Sequence, residues 1–504
     1  MTTGLFAPGS LAGTTPLLRT SLRHEARSFA PWVVIATALT VSSVIAYPLL
    51  FPDIHDRQVF AATVGANPAL GLIFGPAYDL STVDGFNAWR SLALGGFATA
   101  LGAIFIVTKA SRGQEDTGQA ELLAAGVLGR QSRLLTALLM AVIAALAVGV
   151  VSGVITGLCG GGWEASLLLS AGFTITGWMF VAVAAVTAQI GSDSRTASSI
   201  AVTVLGILFV LRGFLYSIDA PAWTAWINPL GWIEETRPAT GDHWWPLLLG
   251  VLFALAVASI GFALQISRDF GQGLIAQSPG PPRGRARTPL GLAIHLNRPA
   301  VISWSFAFIG LGVVFGYFTR SVNDLFAANP TMAQVFASGA ASPADLVAAF
   351  LTTILSLVSI IAAVAGVQIV IRVRAEELAD RAEPVLATAV SRERYLAGTV
   401  VVAFATPILF LLLAGVFVGI FASTAGIGIS FGDALLQAIA TIPAVWTVIA
   451  IAVTVIGVRP QVMLAAWIGV LASFVLTLFG PSFKLALPDS ECVEVFCQAA
   501  GVDE

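Results

Sequence analysis

Long runs of apolar residues make up most of this chain, and its polar residues fall mainly between the runs. A run of roughly 18–25 apolar residues can cross the hydrocarbon core of a bilayer as a helix. Because lipid offers the backbone no hydrogen-bond partner, each such run is expected to be helical. Eleven runs have this length: about 30–50, 89–108, 134–158, 167–190, 198–217, 246–266, 299–317, 347–371, 397–421, 433–456 and 463–480. The pattern predicts an all-α polytopic membrane protein.

Composition agrees with this interpretation. Of the 504 residues, 57% are hydrophobic and only 11% are charged, whereas soluble proteins average about 25% charged residues. The lipid bilayer is therefore the expected solvent for much of the surface. The net charge of −3 gives no indication of a nucleic-acid partner, and the three cysteines and four histidines show no metal-ligand spacing. The first 28 residues are polar to amphipathic and show no cleavable signal peptide.

Basic residues predict the orientation, because cytoplasmic loops carry an excess of lysine and arginine. With the N-terminus in the cytoplasm, most of the 25 basic residues fall in cytoplasmic segments. The exceptions are Arg57, Arg90, Arg212, Arg237, Arg320 and Lys484. A cytoplasmic linker is predicted over 267–298, where Ser278-Pro-Gly-Pro-Pro-Arg-Gly-Arg cannot form a regular helix. It separates a first transmembrane half, 1–266, from a second half, 299–504.

Two charged loops repeat one residue spacing. The first charged loop, 109–133, follows the second predicted span, and the second charged loop, 372–395, follows the eighth. Arg, Glu, Glu and Arg occur in both at steps of three, six and nine residues: Arg112, Glu115, Glu121 and Arg130, then Arg374, Glu377, Glu383 and Arg392. Both loops follow even-numbered spans, so the repeat is parallel and predicts two six-span-type halves. A loop that is merely solvated and follows the positive-inside rule would explain the arginines but not glutamates at matching positions. We therefore favour the interpretation that these loops dock a partner protein.

Two stretches carry a family resemblance. The loop Arg112-Gly-Gln-Glu-Asp-Thr-Gly-Gln-Ala-Glu-Leu-Leu-Ala-Ala-Gly-Val-Leu-Gly-Arg resembles the coupling segment of type-two ABC exporter permeases. Asn228-Pro-Leu-Gly-Trp-Ile-Glu-Glu-Thr-Arg-Pro, followed by Gly241-Asp-His-Trp-Trp-Pro, resembles the external loop before the sixth span of one subgroup. That subgroup comprises actinobacterial polyketide-antibiotic (tetronasin-type) and multidrug exporters.

The resemblance implies a permease of the plasma membrane that expels hydrophobic or amphipathic drug-like compounds, including antibiotics. It implies an amphipathic elbow helix before each half, at 17–29 and 289–298. It also implies a homodimeric ABC ATPase that binds ATP and Mg and docks on the eight repeated residues of the charged loops. The chain itself has no ATP site, because a P-loop needs Lys followed by Ser or Thr. Its two lysines, Lys109 and Lys484, are followed by Ala and Leu. We therefore predict a transporter subunit without a cofactor, and not an enzyme.

The Trp-rich loop, 218–245, joins the fifth and sixth predicted spans and is expected outside. Arg212 lies within the fifth span, where a charge usually has a partner or a wet cavity. It could pair with Glu234, Glu235 or Asp242, snorkel to the interface, or contact substrate. The tryptophans could form an interfacial belt or an outer gate. The candidate gate residues are Arg212, Trp226, Trp232, Glu234, Glu235, Arg237, Trp244 and Trp245.

The C-terminal tail, 481–504, departs from the repeat, because it contains neither a second Trp-rich loop nor a twelfth span. We expect the twelfth span to be missing through truncation or frameshift, or absent in a natural eleven-span variant. Cys492 and Cys497 would then lie outside, either as a disulfide or as free thiols. The alternative function is a proton-coupled drug carrier, which would need ionisable groups within its spans. We find no catalytic pattern that indicates a membrane enzyme.

Overall fold

The computed structural model describes residues 10–65, 68–119, 121, 128–129, 131–218, 220–267, 273–274, 284, 286–319, 343–378, 380–424 and 429–479. All regular elements among these residues are helices. The chain divides into two compact units, Met1–Gly280 and Pro281–Glu504.

Unit 1 contains eleven α-helices within the described ranges. They are α1 Thr14–Glu25, α2 Ala30–Leu50, α3 Ile54–Gly65, α4 Pro68–Phe74, α5 Val83–Thr108, α6 Gln114–Asp116, α7 Ser132–Leu158, α8 Trp163–Ile190, α9 Ser194–Ser217, α10 Pro229–Glu234 and α11 Pro246–Ser267. The turns Ala26–Phe29 and Ala222–Ile227 are 3-10 helical, and Lys109–Gly113 is a π-helical turn. Several helices begin with a side-chain cap. At the start of α10, Oδ1 of Asn228 accepts from the amide of Leu230 at 3.0 Å, and Pro229 is the first helical residue.

Helix α8 forms the centre of unit 1 and packs against α5, α7 and α11. Small residues allow this close approach. A β-carbon at Gly95 of α5 would lie 2.4 Å from the ring of Phe173, and one at Gly149 of α7 would lie 2.0 Å from Oγ1 of Thr174. Any larger side chain at these two glycines would therefore push the helices apart.

Unit 2 is built around the long helix that begins at the end of the second charged loop, at Arg392. Its helices are α12 Pro289–Thr319, α13 Pro343–Leu378, α14 Glu383–Leu386, α15 Arg392–Thr424, α16 Phe431–Ala440, α17 Ile442–Val458 and α18 Ile468–Phe479. Helix α15 packs against α12, α13 and α16. Phe308 and Phe410 stack between α12 and α15 with ring centroids 4.9 Å apart.

Ten helical segments among the described residues are long and apolar enough to cross a bilayer. They are Thr14–Leu50, Val83–Asp116, Ser132–Leu158, Trp163–Ile190, Ser194–Ser217, Pro246–Ser267, Pro289–Gly316, Ile354–Leu378, Arg392–Thr424 and Phe431–Val458. They coincide in order with the first ten predicted runs.

The eleventh predicted run, 463–480, is not among these ten. It starts within a 3-10 stretch, Pro460–Trp467, which has a non-helical break at Val462, and only twelve α-helical residues follow in α18. The second predicted elbow, 289–298, is helical, but it forms the first part of α12 and is not a separate helix. The C-terminal tail with Cys492 and Cys497 lies outside the described residues.

Candidate functional site

The first charged loop is anchored by a buried arginine. After α5 ends, the π-helical turn Lys109–Gly113 directs Arg112 inward, where its side chain is only 1% exposed. Its Nε donates to the carbonyl oxygen of Ala188 at 2.6 Å, and its Nη1 donates to Oε2 of Glu115 at 2.8 Å. Arg112 therefore joins the start of the loop to the end of α8.

Glu115 extends this anchor to a third helix. Its Oε1 accepts from Nη2 of Arg133, at the start of α7, at 3.2 Å. Its side chain is 8% exposed. Asp116 beside it accepts from the amide of Ser194, the first residue of α9, at 2.8 Å. Arg112 and Glu115 are thus placed to hold the loop in position rather than to contact a partner.

The N-terminal segment also contacts this loop. The amide of Gly129 donates to the carbonyl of Ala12 at 2.9 Å, and the amide of Gln131 donates to the carbonyl of Ser10 at 3.0 Å. Nζ of Lys109 pairs with Oε2 of Glu25, in α1, at 2.7 Å. Glu121 is exposed, and Arg130 lies outside the described residues.

The second charged loop contains the same local ion pair in a more open setting. Nη1 of Arg374 lies 3.0 Å from Oε2 of Glu377, and both side chains are about a quarter exposed. This is the spacing of the pair between Arg112 and Glu115. Glu383 begins the short helix α14 and Arg392 begins α15, and both are exposed.

Arg212 is buried in α9 and is paired with the Trp-rich loop. Its Nη1 donates to Oε1 of Glu234, its Nη2 donates to the carbonyl of Ile73 at 2.8 Å, and its guanidinium lies 4.7 Å from the ring centroid of Phe209. Of the three carboxylates expected from the sequence, Glu234 is the one that binds Arg212. Burial raises the pKa of Glu234, and the neighbouring Arg212 opposes this shift. The arginine thereby connects α9, α4 and α10.

A second, more exposed charge cluster lies in the same loop. Nη2 of Arg237 contacts Oε2 of Glu235 at 2.7 Å, and its guanidinium lies 4.5 Å from the ring centroid of Tyr78. Arg237, Ala239 and Asp242 have φ values of 46°, 69° and 48°, in the left-handed region that non-glycine residues rarely adopt. This strained turn brings Oδ1 of Asp242 within 2.8 Å of the amide of Ala239.

The tryptophans of the Trp-rich loop divide into internal contacts and exposed rings. Trp226 and Trp245 stack with ring centroids 5.1 Å apart, and Nε1 of Trp232 donates to the carbonyl of Trp226 at 2.7 Å. Trp244 and Trp245 are about half exposed. The loop therefore combines exposed aromatic side chains with the buried carboxylate of Glu234.

Sequence reasoning missed three features of these sites. It predicted no helix between 51 and 82, where α3 and α4 lie. In this segment the carbonyl of Ile73 accepts a hydrogen bond from Arg212. It did not pair Lys109 with Glu25, because the two residues are 84 positions apart. It also assigned all eight charged-loop residues to a partner surface, although Arg112 and Glu115 are buried.

Two comparisons with known proteins are informative. Residues 58–264 and 287–489 match a protein-family model described as the C-terminal domain of the multidrug efflux system permease Rv1217c. The chain is also 32% identical over 473 residues to the multidrug efflux system permease protein Rv1217c of Mycobacterium tuberculosis, which covers 92% of this chain and 84% of that protein. With its membrane-spanning helices, the chain therefore belongs to the Rv1217c-like family of multidrug efflux permeases.

Proposed function

We propose that this chain is the membrane-spanning permease of an ATP-driven exporter whose ATPase is a separate, homodimeric ABC polypeptide. Membership of a multidrug efflux permease family supports the transport role. The lack of a P-loop lysine in the sequence requires another source of energy. In this proposal the N-terminus and both charged loops are cytoplasmic, as the distribution of basic residues favours.

The observation that carries the proposal is the recurrence of one arrangement in both charged loops. In each, an Arg–Glu pair three residues apart is made internally, and a glutamate six residues further on is exposed. Glu121 and Glu383 are thus exposed to meet basic groups of an ATPase. The pair of Arg112 and Glu115 holds the first loop against α7 and α8, whereas the pair of Arg374 and Glu377 lies within α13. Charged side chains placed in this way set the register and orientation of a docked partner.

The cargo in this proposal is hydrophobic or amphipathic, in keeping with the multidrug efflux role of the mycobacterial relative and with the resemblance to polyketide-antibiotic exporters. The Trp-rich loop would act as the outer gate, with Arg212 and Glu234 holding its base. Its exposed tryptophans suit a membrane–water interface, where aromatic side chains with a polar edge concentrate.

The test is co-purification with a candidate ABC ATPase, followed by vanadate-sensitive drug export in proteoliposomes. The double variant Glu121→Arg with Glu383→Arg should lose ATPase binding and export while remaining inserted. Glu164→Arg is the matched control, because Glu164 is also exposed but lies at the start of α8, whereas the first charged loop contacts the other end of this helix at Ala188. Normal export by the double variant contradicts the docking role. Export that ceases with a protonophore at constant ATP instead indicates a proton-coupled carrier.

A further inference from the structure

A cavity of about 460 Å³ lies beside the first charged loop, between the N-terminal helix and α5. Its volume falls within the range of about 300–1,000 Å³ that is typical of small-molecule sites. Its lining includes Glu25, Trp32, Phe105, Lys109, Asp116 and Met140. None of the contacts described for the Trp-rich loop involves this cavity.

One wall of the cavity is aromatic. The rings of Trp32 and Phe105 lie 6.3 Å apart between centroids and are tilted by 33°. Trp32 lies directly over Gly102 of α5, where a β-carbon would be 2.8 Å from Cγ of the indole. Gly102 therefore sets the position of the indole, and Met140 adds apolar surface beside it.

The polar wall has an excess of negative charge. The lining includes two carboxylates, Glu25 and Asp116, and one ammonium group, that of Lys109. Lys109 pairs with Glu25 at 2.7 Å, while Asp116 accepts only a backbone amide, that of Ser194, among its described contacts. The cavity thus combines aromatic faces with a net charge of −1 from these three groups (two negative, one positive).

We propose that this cavity binds lipophilic organic cations. Aromatic faces attract cations through the ring quadrupole, and the apolar surface accommodates the rest of such a molecule. The carboxylates of Glu25 and Asp116 neutralise the ligand charge, and Lys109 competes with the ligand for Glu25. The inference rests on the proposed function, because it makes the cavity an entry site for cargo at the cytoplasmic face.

The test uses the purified full chain in nanodiscs of zwitterionic lipid, without ATPase or ATP. Tetraphenylphosphonium is the probe, and tetraphenylborate is its matched anion of nearly the same shape. We expect the cation to bind at least tenfold more tightly than the anion, after subtraction of binding to empty nanodiscs. Lys109→Met should tighten cation binding several-fold, because it removes the competing charge; misfolding cannot produce this gain.

Two further variants test the walls separately. Asp116→Asn keeps an acceptor for the Ser194 amide but removes the charge, and it should weaken cation binding about tenfold. Gly102→Ala displaces the indole without changing any charge and should weaken it several-fold. Glu164→Gln, an exposed carboxylate outside the cavity, should leave the affinity unchanged.

Several results would overturn the inference: equal or tighter binding of tetraphenylborate, weaker cation binding in Lys109→Met, or unchanged binding in both Asp116→Asn and Gly102→Ala. Preference for the anion would instead indicate a site for anionic lipid. Failure of the exporter proposal is distinguishable, because it would abolish ATP-driven export while leaving cation binding in nanodiscs intact.

Discussion

Removing the carboxylate of Glu234 should destabilise unit 1 substantially. The side chains of Arg212 and Glu234 are 2% and 7% exposed. In Glu234→Gln the guanidinium keeps its bond to the carbonyl of Ile73 but loses its counter-charge. Breaking a buried pair by removing one partner costs about 3–5 kcal/mol. Because the contact to Ile73 survives, we expect the lower value, about 3 kcal/mol.

This loss is measurable as a shift in melting temperature. A change of 1 kcal/mol shifts the midpoint by about 2–4 °C in domains of about 150–250 residues, so about 3 kcal/mol corresponds to about 6–12 °C. The assay is thermal unfolding of the full chain in detergent, followed by size-exclusion chromatography with tryptophan detection.

The double variant Arg212→Met with Glu234→Gln separates the pair from its surroundings. Both side chains are almost fully buried, so the cost of removing the two charges from water offsets much of their attraction. The intact pair therefore contributes little beyond neutral groups of similar size, and the double variant should be more stable than Glu234→Gln alone. Melting of Glu234→Gln within 1 °C of the parent protein would refute the reasoning. So would a stability loss in the double variant equal to the sum of the losses from Arg212→Met and Glu234→Gln alone.

Five further substitutions test the positions of the helices by the same melting assay. Asp193→Ala removes the N-cap of α9 and should lower the free energy of unfolding by about 1 kcal/mol. Asp193→Asn keeps a capping oxygen and should retain most of the stability of the parent protein. Gly213→Ala should cost about 1–3 kcal/mol, because the new β-carbon would lie 1.9 Å from the carbonyl oxygen of Leu72; it should also speed proteolysis of α4. Arg112→Met should cost about 3–5 kcal/mol, whereas Arg374→Met, at a pair about a quarter exposed, should cost less than about 1 kcal/mol; equal effects would contradict the assigned burial.

Helix positions were the most predictable part of this fold. The run 30–50 coincides with Ala30–Leu50, and the next nine runs fall within or close to observed helices. Hydrophobic length decides these elements, because an apolar run in lipid has no alternative to helix. The short helices α3 and α4 were not predicted, since neither is long enough to register as a span.

The partners within the candidate sites were less predictable. From the sequence, Arg212 could pair with any of three carboxylates. In the structure the position of α10 brings Glu234 into contact with it. The burial of Arg112 depends on a π-helical turn, for which hydrophobic periodicity gives no signal. Charge spacing singled out the two charged loops, but it does not distinguish a residue that anchors a loop from one that faces a partner.

The central position of α8 has a consequence for biogenesis. Its most apolar 18-residue window has a mean hydropathy of 1.8, against 2.8 for that of α7, and it carries buried hydroxyls such as those of Ser170 and Thr174. Alone in lipid, α8 would be less stable than α7, but α5 and α7 precede it in synthesis. We expect α8 to leave the translocon already packed on those two helices, so that the centre of unit 1 is covered by protein as soon as it is synthesised.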